Sequence, residues 1–350
     1  MRYITALIVT AICLCATATL QAQSQDSTAY RVTEYVNNIN PKDPVRMTST
    51  GIVIAGRPST ARAMSRLSAN ANGARPLAEC ANYYKQALGD SVNIYVAAIP
   101  LAAAYYMPNV AKSWSKSHAA ALNAMYAALS KDVKIVDVYT VLSNHTAEHI
   151  YSRTDHHWAP LGGYYAAEEF AKVAGVPFKD LSHYKEMVVP RYVGSMYQFT
   201  NDNAILASPE KFVFHKPNQI EYTTTYIRFR TDNQRIVGET KPYTDKFFFD
   251  YMGPGAYCSF MGGDTKITQV RTATKNGRRL VIIKDSFGNV LPGYLFYSFE
   301  EIHVIDFRYF NKSMKRYVKE HGITDLLIAT NISFACSTNV MYKYKRHVIQ

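Results

Sequence analysis

The chain has 350 residues, is 48% hydrophobic and 19% charged, and carries a formal net charge of +12. A chain of this size can bury a core without disulfide staples, and its length fits one large domain or two small ones. The basic residues are scattered, with KYKR near the C-terminus the only run, so the clustered stripe of a nucleic-acid surface is missing and no nucleic-acid partner is expected.

In chain order, Arg2 precedes the short apolar run ITALIVTAICLCATATL, and Leu20-Gln21-Ala22 ends in a small residue before polar QSQDS. This pattern predicts a signal peptide over residues 1–22, cut after Ala22. The protein is therefore expected to be secreted across the inner membrane and to work in the periplasm or outside the cell. The run falls short of the ~20 apolar residues that span a bilayer. Cleavage removes Cys13 and Cys15. Cys80, Cys258 and Cys336 remain and lack the CxxC spacing of a structural zinc site; an odd count allows at most one disulfide plus a free thiol or three buried thiols, of which buried thiols are favoured.

Residues 23–50, with Pro41 and Pro44, read as an approach segment. GIVIAGR (51–57) is a short β-type run. Leu77, Ala81, Tyr84 and Leu88 recur at helical spacing within 58–90. NIYVAAIP (93–100) is a nearly continuous apolar run closed by proline, which suits a buried parallel strand. The Ala-rich stretch 111–130 predicts a helix, and KIVDVYTVL (134–142) the next strand. Residues 160–175 predict a helix opened by Pro160 and ended by Gly175.

Residues 184–276 have another texture, rich in Tyr, Thr, Phe and Arg with period-2 stretches such as IEYTTTYIRFR (220–230). They predict a β-rich insertion or lid. RLVIIKDSF (279–287), EIHVIDFRYF (301–310) and TDLLIATN (324–331) then predict three strands, with SMKRYVKEHG (313–322) a helix among them. Strand–helix alternation on both sides of the insertion implies an α/β domain with a parallel sheet and helices on both faces. Its first part spans 23–183 and its second 277–350.

Ser286 follows an apolar strand run in VIIKDSFGN, and Gly288 frees the turn after it. A serine at the carboxyl end of such a strand faces the cleft, and its backbone N–H can stabilise an oxyanion. A helix N-cap is the competing role for the same residue. Asp155 and His157 lie two apart in RTDHHWAPLGGYYAAEEF, just before a helix. A serine becomes a nucleophile only when a base takes its proton, and the base works only when a third group fixes its tautomer. A zinc-dependent hydrolase using His156 and His157 is the weakest reading: no Glu or His stands four residues on to complete a helical pair, so no metal is expected.

The joint order of these blocks resembles the SGNH hydrolases, and more closely the DHHW family of the alginate O-acetyltransferase type, cyclically rotated. NIYVAAIP and KIVDVYTVL are similar to that superfamily's fourth and fifth strands, TDHHWAPLGGYYAAEEFA to its D-x-x-H block, KDSF to its GDS block, VIDFRYF to its second strand and LIATN to its third. The resemblance covers nearly all of the mature chain and is thinnest over 184–276. It implies an SGNH-like (flavodoxin-like) fold and a triad of Ser286, His157 and Asp155. It also implies an oxyanion hole from the Ser286 N–H and the Asn331 amide, and no cofactor. His157, not His156, matches the family histidine by its distance to Gly162 and Tyr164.

There are two departures from the pattern. Lys284 replaces the glycine of GDS, and no glycine follows Asp306, where Arg308 lies. Arg308, Gly262 and Gly263 are candidates for the third oxyanion donor, and His156 and Trp158 for substrate contacts. Tyr192, Tyr197 and Tyr257, like Trp158, offer rings for sugar stacking, each with ordinary packing as its competing role. The resemblance implies an exported serine esterase or O-acetyltransferase acting on acyl, foremost acetyl, esters of a cell-envelope or extracellular glycan, with a possible partner supplying the acyl group. The alternative is a catalytically weak or inactive glycan-binding protein of the same fold, to which Lys284 lends weight.

Overall fold

The computed structural model describes residues 30–39, 43–232 and 235–349; the expected signal peptide over 1–22 lies outside them. β1 (Val45–Met47), β2 (Val53–Ala55) and β3 (Arg62–Met64) form a small antiparallel sheet. β4 (Asn93–Ile99) and β5 (Val133–Ile135) follow, then the antiparallel pair β6 (Tyr184–Tyr192) and β7 (Glu210–Pro217). Next come β8 (Tyr222–Ile227), the hairpin of β9 (Phe229–Asp232) and β10 (Arg235–Glu239), β11 (Tyr243–Thr244) and β12 (Ile267–Thr272). β13 (Arg279–Lys284), β14 (Glu301–Asp306) and β15 (Asp325–Asn331) complete the strands.

The central sheet has eight strands in the order β11-β8-β12-β14-β13-β15-β4-β5. From β14 to β5 neighbours run parallel; β12, β8 and β11 extend the sheet antiparallel beyond β14. β4 and β15 are buried almost throughout, as parallel strands covered on both faces must be. On one face, Phe170 of the helix Pro160–Ala174 packs against Tyr95 of β4 at 5.1 Å between ring centroids. The helices Arg75–Leu88, His118–Tyr126 and Thr338–Ile349, packed against one another, cover the other. The helix Pro160–Ala174 opens with Pro160 in its first turn and closes on Gly175 at φ 67°, a left-handed cap that glycine adopts without penalty.

The structure corrects several expectations. The run 134–142 is not one strand. β5 stops at Ile135, and Asp137 caps the helix Val138–Ser143, its carboxylate accepting from Thr140 N at 3.0 Å. The 184–276 region is β-rich but is no separate lid, because β8, β11 and β12 continue the main sheet. Alternation reveals which residues share a strand face; it does not name the strand's partner. The basic KYKR lies in the helix Thr338–Ile349. All three remaining cysteines are free, and Cys80 and Cys336 are buried, but Cys258 is exposed. No helix among the described residues is long and apolar enough to cross a membrane.

β13 positions the site. Its neighbours are β14 on one side and β15 on the other, so the chain direction across the sheet reverses there. The crevice at the carboxyl end of such a switch point is where open α/β sheets bind ligands.

Candidate active site

Ser286 starts a short 3-10 turn, Ser286–Val290, directly off the end of β13. Its Oγ lies 2.8 Å from His157 Nε2. His157 Nδ1 lies 2.7 Å from Asp155 Oδ1, which also accepts from the His157 backbone N–H at 2.9 Å. Asp155 and His157 are buried, and Ser286 is half-buried. The Ser286 N–H donates to no acceptor among the described residues, while the next two amides are tied back to Asp285.

The other Asp155 oxygen is filled as well: Oδ2 accepts from Tyr192 OH and from Ser195 N, both at 2.8 Å. Burial works to raise the Asp155 carboxyl. The adjoining His157, His156 and Ser195 N–H outweigh burial and hold it well below the usual carboxylate range. Tyr192, raised by burial and by Asp155, stays a neutral donor. Gly194 lies so close that a β-carbon there would sit 2.3 Å from Asp155 Oδ2. Just ahead of Asp155, Glu210 of the distant β7 accepts from Arg153 N at 2.8 Å, Thr154 N at 2.9 Å, Thr154 Oγ1 at 2.8 Å and His149 Nε2 at 2.7 Å. Those donors hold the segment that presents Asp155.

Asp285 serves the nucleophile turn in the same way. Its Oδ1 accepts from Phe287 N at 2.8 Å; its Oδ2 accepts from Thr330 Oγ1 at 2.7 Å and from Asn331 N and Nδ2 at 2.8 Å each. Burial pushes this carboxyl up, against the bonds from Asn331 N, Thr330 and Phe287 N and the charge of Arg308. Asn331 is therefore first of all the anchor of Asp285: its Oδ1 also caps Phe334 N at 3.1 Å, leaving one Nδ2 hydrogen for the expected oxyanion role. A buried carboxylate needs several donors, and Asn331 is one of them.

The other expected contacts are redistributed too. Trp158 is fully buried and donates its Nε1–H to Phe287 O at 2.9 Å, so it is no sugar platform. Tyr192 is equally buried, and Tyr197 packs on the small cluster around Met196. Tyr257 donates its OH to Ser286 O at 2.9 Å and Phe287 O at 3.2 Å. Arg308 spends Nε and Nη2 on Asp306 and Nη2 on Asp264, at 2.6–2.8 Å, so its charge is neutralised. Gly262 and Gly263, at φ 68° and 90°, form the turn that delivers Asp264 to this network. Lys284 completes it, with Nζ 2.9 Å from Asp306 and 3.1 Å from Asp264. Burial lowers Lys284, but the two carboxylates more than offset it, so the ammonium stays charged. A β-carbon on Gly288 would lie 2.4 Å from Lys284 Cβ. The lysine thus runs beneath the nucleophile turn, and glycine at 288 makes room for it.

Asp155, His156 and His157 are the group of described residues whose donor atoms cluster within 4.8 Å, close enough for a metal. Those atoms are already committed: both Asp155 oxygens as above, His157 Nε2 to Ser286, and His156 Nδ1 to Ser195 Oγ at 2.5 Å. His156 Nε2 alone is left over, which is too little for a zinc site.

The DHHW protein family model matches residues 69–305. This chain belongs to the DHHW family. A DHHW family protein from Eubacterium siraeum is 37% identical, with a TM-score of 0.78, over 87% of this chain and 98% of that one. PatB1 from Bacillus cereus, solved with a sulfonyl adduct, shares the fold at 17% identity and a TM-score of 0.63, over 86% of this chain and 98% of its own. The DHHW fold is SGNH-like, as the sequence resemblance implied. A search of curated proteins gave no match.

The DHHW signature itself is Asp155-His156-His157-Trp158, and each of its members has a defined partner here: Asp155 with His157, His156 with Ser195, His157 with Ser286, Trp158 with Phe287. Sequence reasoning missed Ser195, Glu210 and the supporting role of Asp285. The first two lie in the 184–276 stretch, where no local motif marks a residue that supports a loop far upstream.

Proposed function

We propose that this DHHW protein is an exported serine esterase or O-acetyltransferase acting on acyl, foremost acetyl, esters of a cell-envelope or extracellular glycan. The observation that carries the reading is the unbroken relay from Ser286 Oγ to His157 Nε2 at 2.8 Å and from His157 Nδ1 to Asp155 at 2.7 Å. Ser286 Oγ attacks the acyl carbonyl while its proton passes to His157 Nε2. Asp155 balances the imidazolium, and the unengaged Ser286 N–H meets the oxyanion. Collapse expels the alcohol, which takes the proton back from His157 and leaves an acyl-serine. Water, or a sugar hydroxyl deprotonated by His157, then attacks the acyl-serine and frees Ser286. Water gives esterase activity, and a sugar hydroxyl gives transfer.

A fluorophosphonate probe tests the reading. The mature wild-type chain should be labelled at one serine and turn over p-nitrophenyl acetate, and Ser286→Ala should do neither. A correctly folded chain that is not labelled and shows no turnover would favour the inert glycan-binding reading instead.

A further inference from the structure

We propose that the His157 imidazole works inside an aromatic sandwich, with the Tyr257 ring on one face and the His156 ring on the other, and that Tyr257 is a positioning residue for proton transfer at Ser286. The inference rests on the reading of His157 as the base.

The Tyr257 and His157 rings are parallel within 5°, with centroids 3.8 Å apart. The His156 ring lies 3.6 Å from His157 at an interplanar angle of 39°. One imidazole face cannot take both rings at those spacings, so they occupy opposite faces. The ring edge is occupied too: Asp155 at Nδ1, Ser286 at Nε2, and the Phe287 ring at 5.0 Å. Asp155 is thus the charged group in direct contact, while Asp264 acts on both flanking rings and Asp285 on Tyr257. Water has little access to spread the charge when Nε2 takes the serine proton.

A cation over an aromatic face is attracted by the ring quadrupole, more so where water is excluded. Burial keeps the Tyr257 phenol protonated, so its face stays neutral and its OH stays a donor. Burial, then the neighbouring His157, pushes His156 down to about 4. The second face therefore carries no opposing charge at neutral pH. Tyr257 touches the reaction at two points: its ring meets the base, and its hydroxyl holds the carbonyls of Ser286 and Phe287.

The two contributions are separable. Tyr257→Phe keeps the ring and drops the hydroxyl, so fluorophosphonate labelling should slow several-fold while the midpoint of its acid limb stays put. Building 4-fluoro-, 3,5-difluoro- and 3,4,5-trifluorophenylalanine into position 257 keeps the shape of Phe and drains the ring face stepwise. The midpoint should then move stepwise to lower pH, by about half to one unit over the series. The His157 ring titration, followed by NMR in the same proteins, should move in parallel. Midpoints that stay fixed across the series, in a chain that labels normally, would overturn the sandwich and leave the proposed function standing. A wild-type chain that is never labelled, yet shows the stepwise NMR movement, would keep the sandwich and remove the hydrolase reading.

Discussion

Asp155 and Asp285 are the two carboxylates that make the site rigid, and they are built alike. Each is buried, and each has one oxygen filled from two residues further along its own segment and the other by donors from distant elements. They differ in electrostatics: a histidine partners Asp155 and holds it low, whereas the hydrogen bonds to Asp285 come from neutral groups and burial raises it against them and the charge of Arg308. Asp285→Asn should be costly despite its similar shape, because an amide nitrogen would then face N–H or O–H donors. We expect a loss of about 2 kcal/mol in stability by chemical denaturation, with slower probe labelling. Unchanged stability would mean that the four bonds do not hold the turn. At this scale the sequence was legible where residues form a local motif. TDHHW is the most specific motif, KDS alone is weak, and their joint order points to Ser286, His157 and Asp155, which the structure brings together. The committed state of Asn331, Arg308 and Trp158 was not legible, because it depends on which buried groups around them require donors or acceptors.

Among elements, close approach decides the geometry. The helix that follows the DHHW segment lies against the nucleophile turn, and a β-carbon on Gly163 would come within 2.3 Å of Val290 Cγ2. Helical propensity alone would favour alanine at this position. Crowding should win: Gly163→Ala is expected to cost about 1–3 kcal/mol and to slow labelling by pushing the Ser286–Val290 turn. A stabilised and fully active variant would show that the helix can shift aside. Apolar runs of seven residues or so, such as 93–99 and 325–331, were legible as strands because burial on both faces leaves no polar interruption. The 134–142 run misled because Asp137 turns an apolar stretch into a helix through one cap. The strands of 184–276 were legible as strands, but their continuity with the main sheet was not, since pairing is a long-range property.

For the whole molecule, acid is the weak direction. Burial pushes His118 down to about 3 and His156 to about 4, and lowers His215, His321 and His347 as well. In the unfolded chain a histidine titrates near ~6.5. Between those values the unfolded state binds the extra proton, so stability falls as pH drops below ~6.5. Asp155, Asp264 and Glu210, all held low in the fold, add a further loss below about 4. His118 is buried with its Nε2 unpartnered among the described residues. His118→Phe should therefore recover up to about 2 kcal/mol at pH 5 relative to pH 7, read from denaturant midpoints at the two pH values. An equally steep decline in the variant would exonerate this residue.

The hydroxyl and the imidazole of the relay are 129 positions apart, and between them runs the stretch that supplies Tyr192, Ser195, Glu210 and Tyr257. No contiguous piece of the chain short of this span holds a working centre, and the supporting bonds made by Tyr192, Ser195, Glu210 (to Thr154), Tyr257 and Asn331 close loops of 29 to 56 residues. Such contacts form slowly, because the entropy of closing the loops is lost before the contacts reward it. Competence to react with an electrophile should thus arrive last in refolding, after helices and sheet are visible. A nascent or misassembled copy should therefore leave an electrophilic probe untouched, and labelling during refolding should lag behind the signals of helix and sheet.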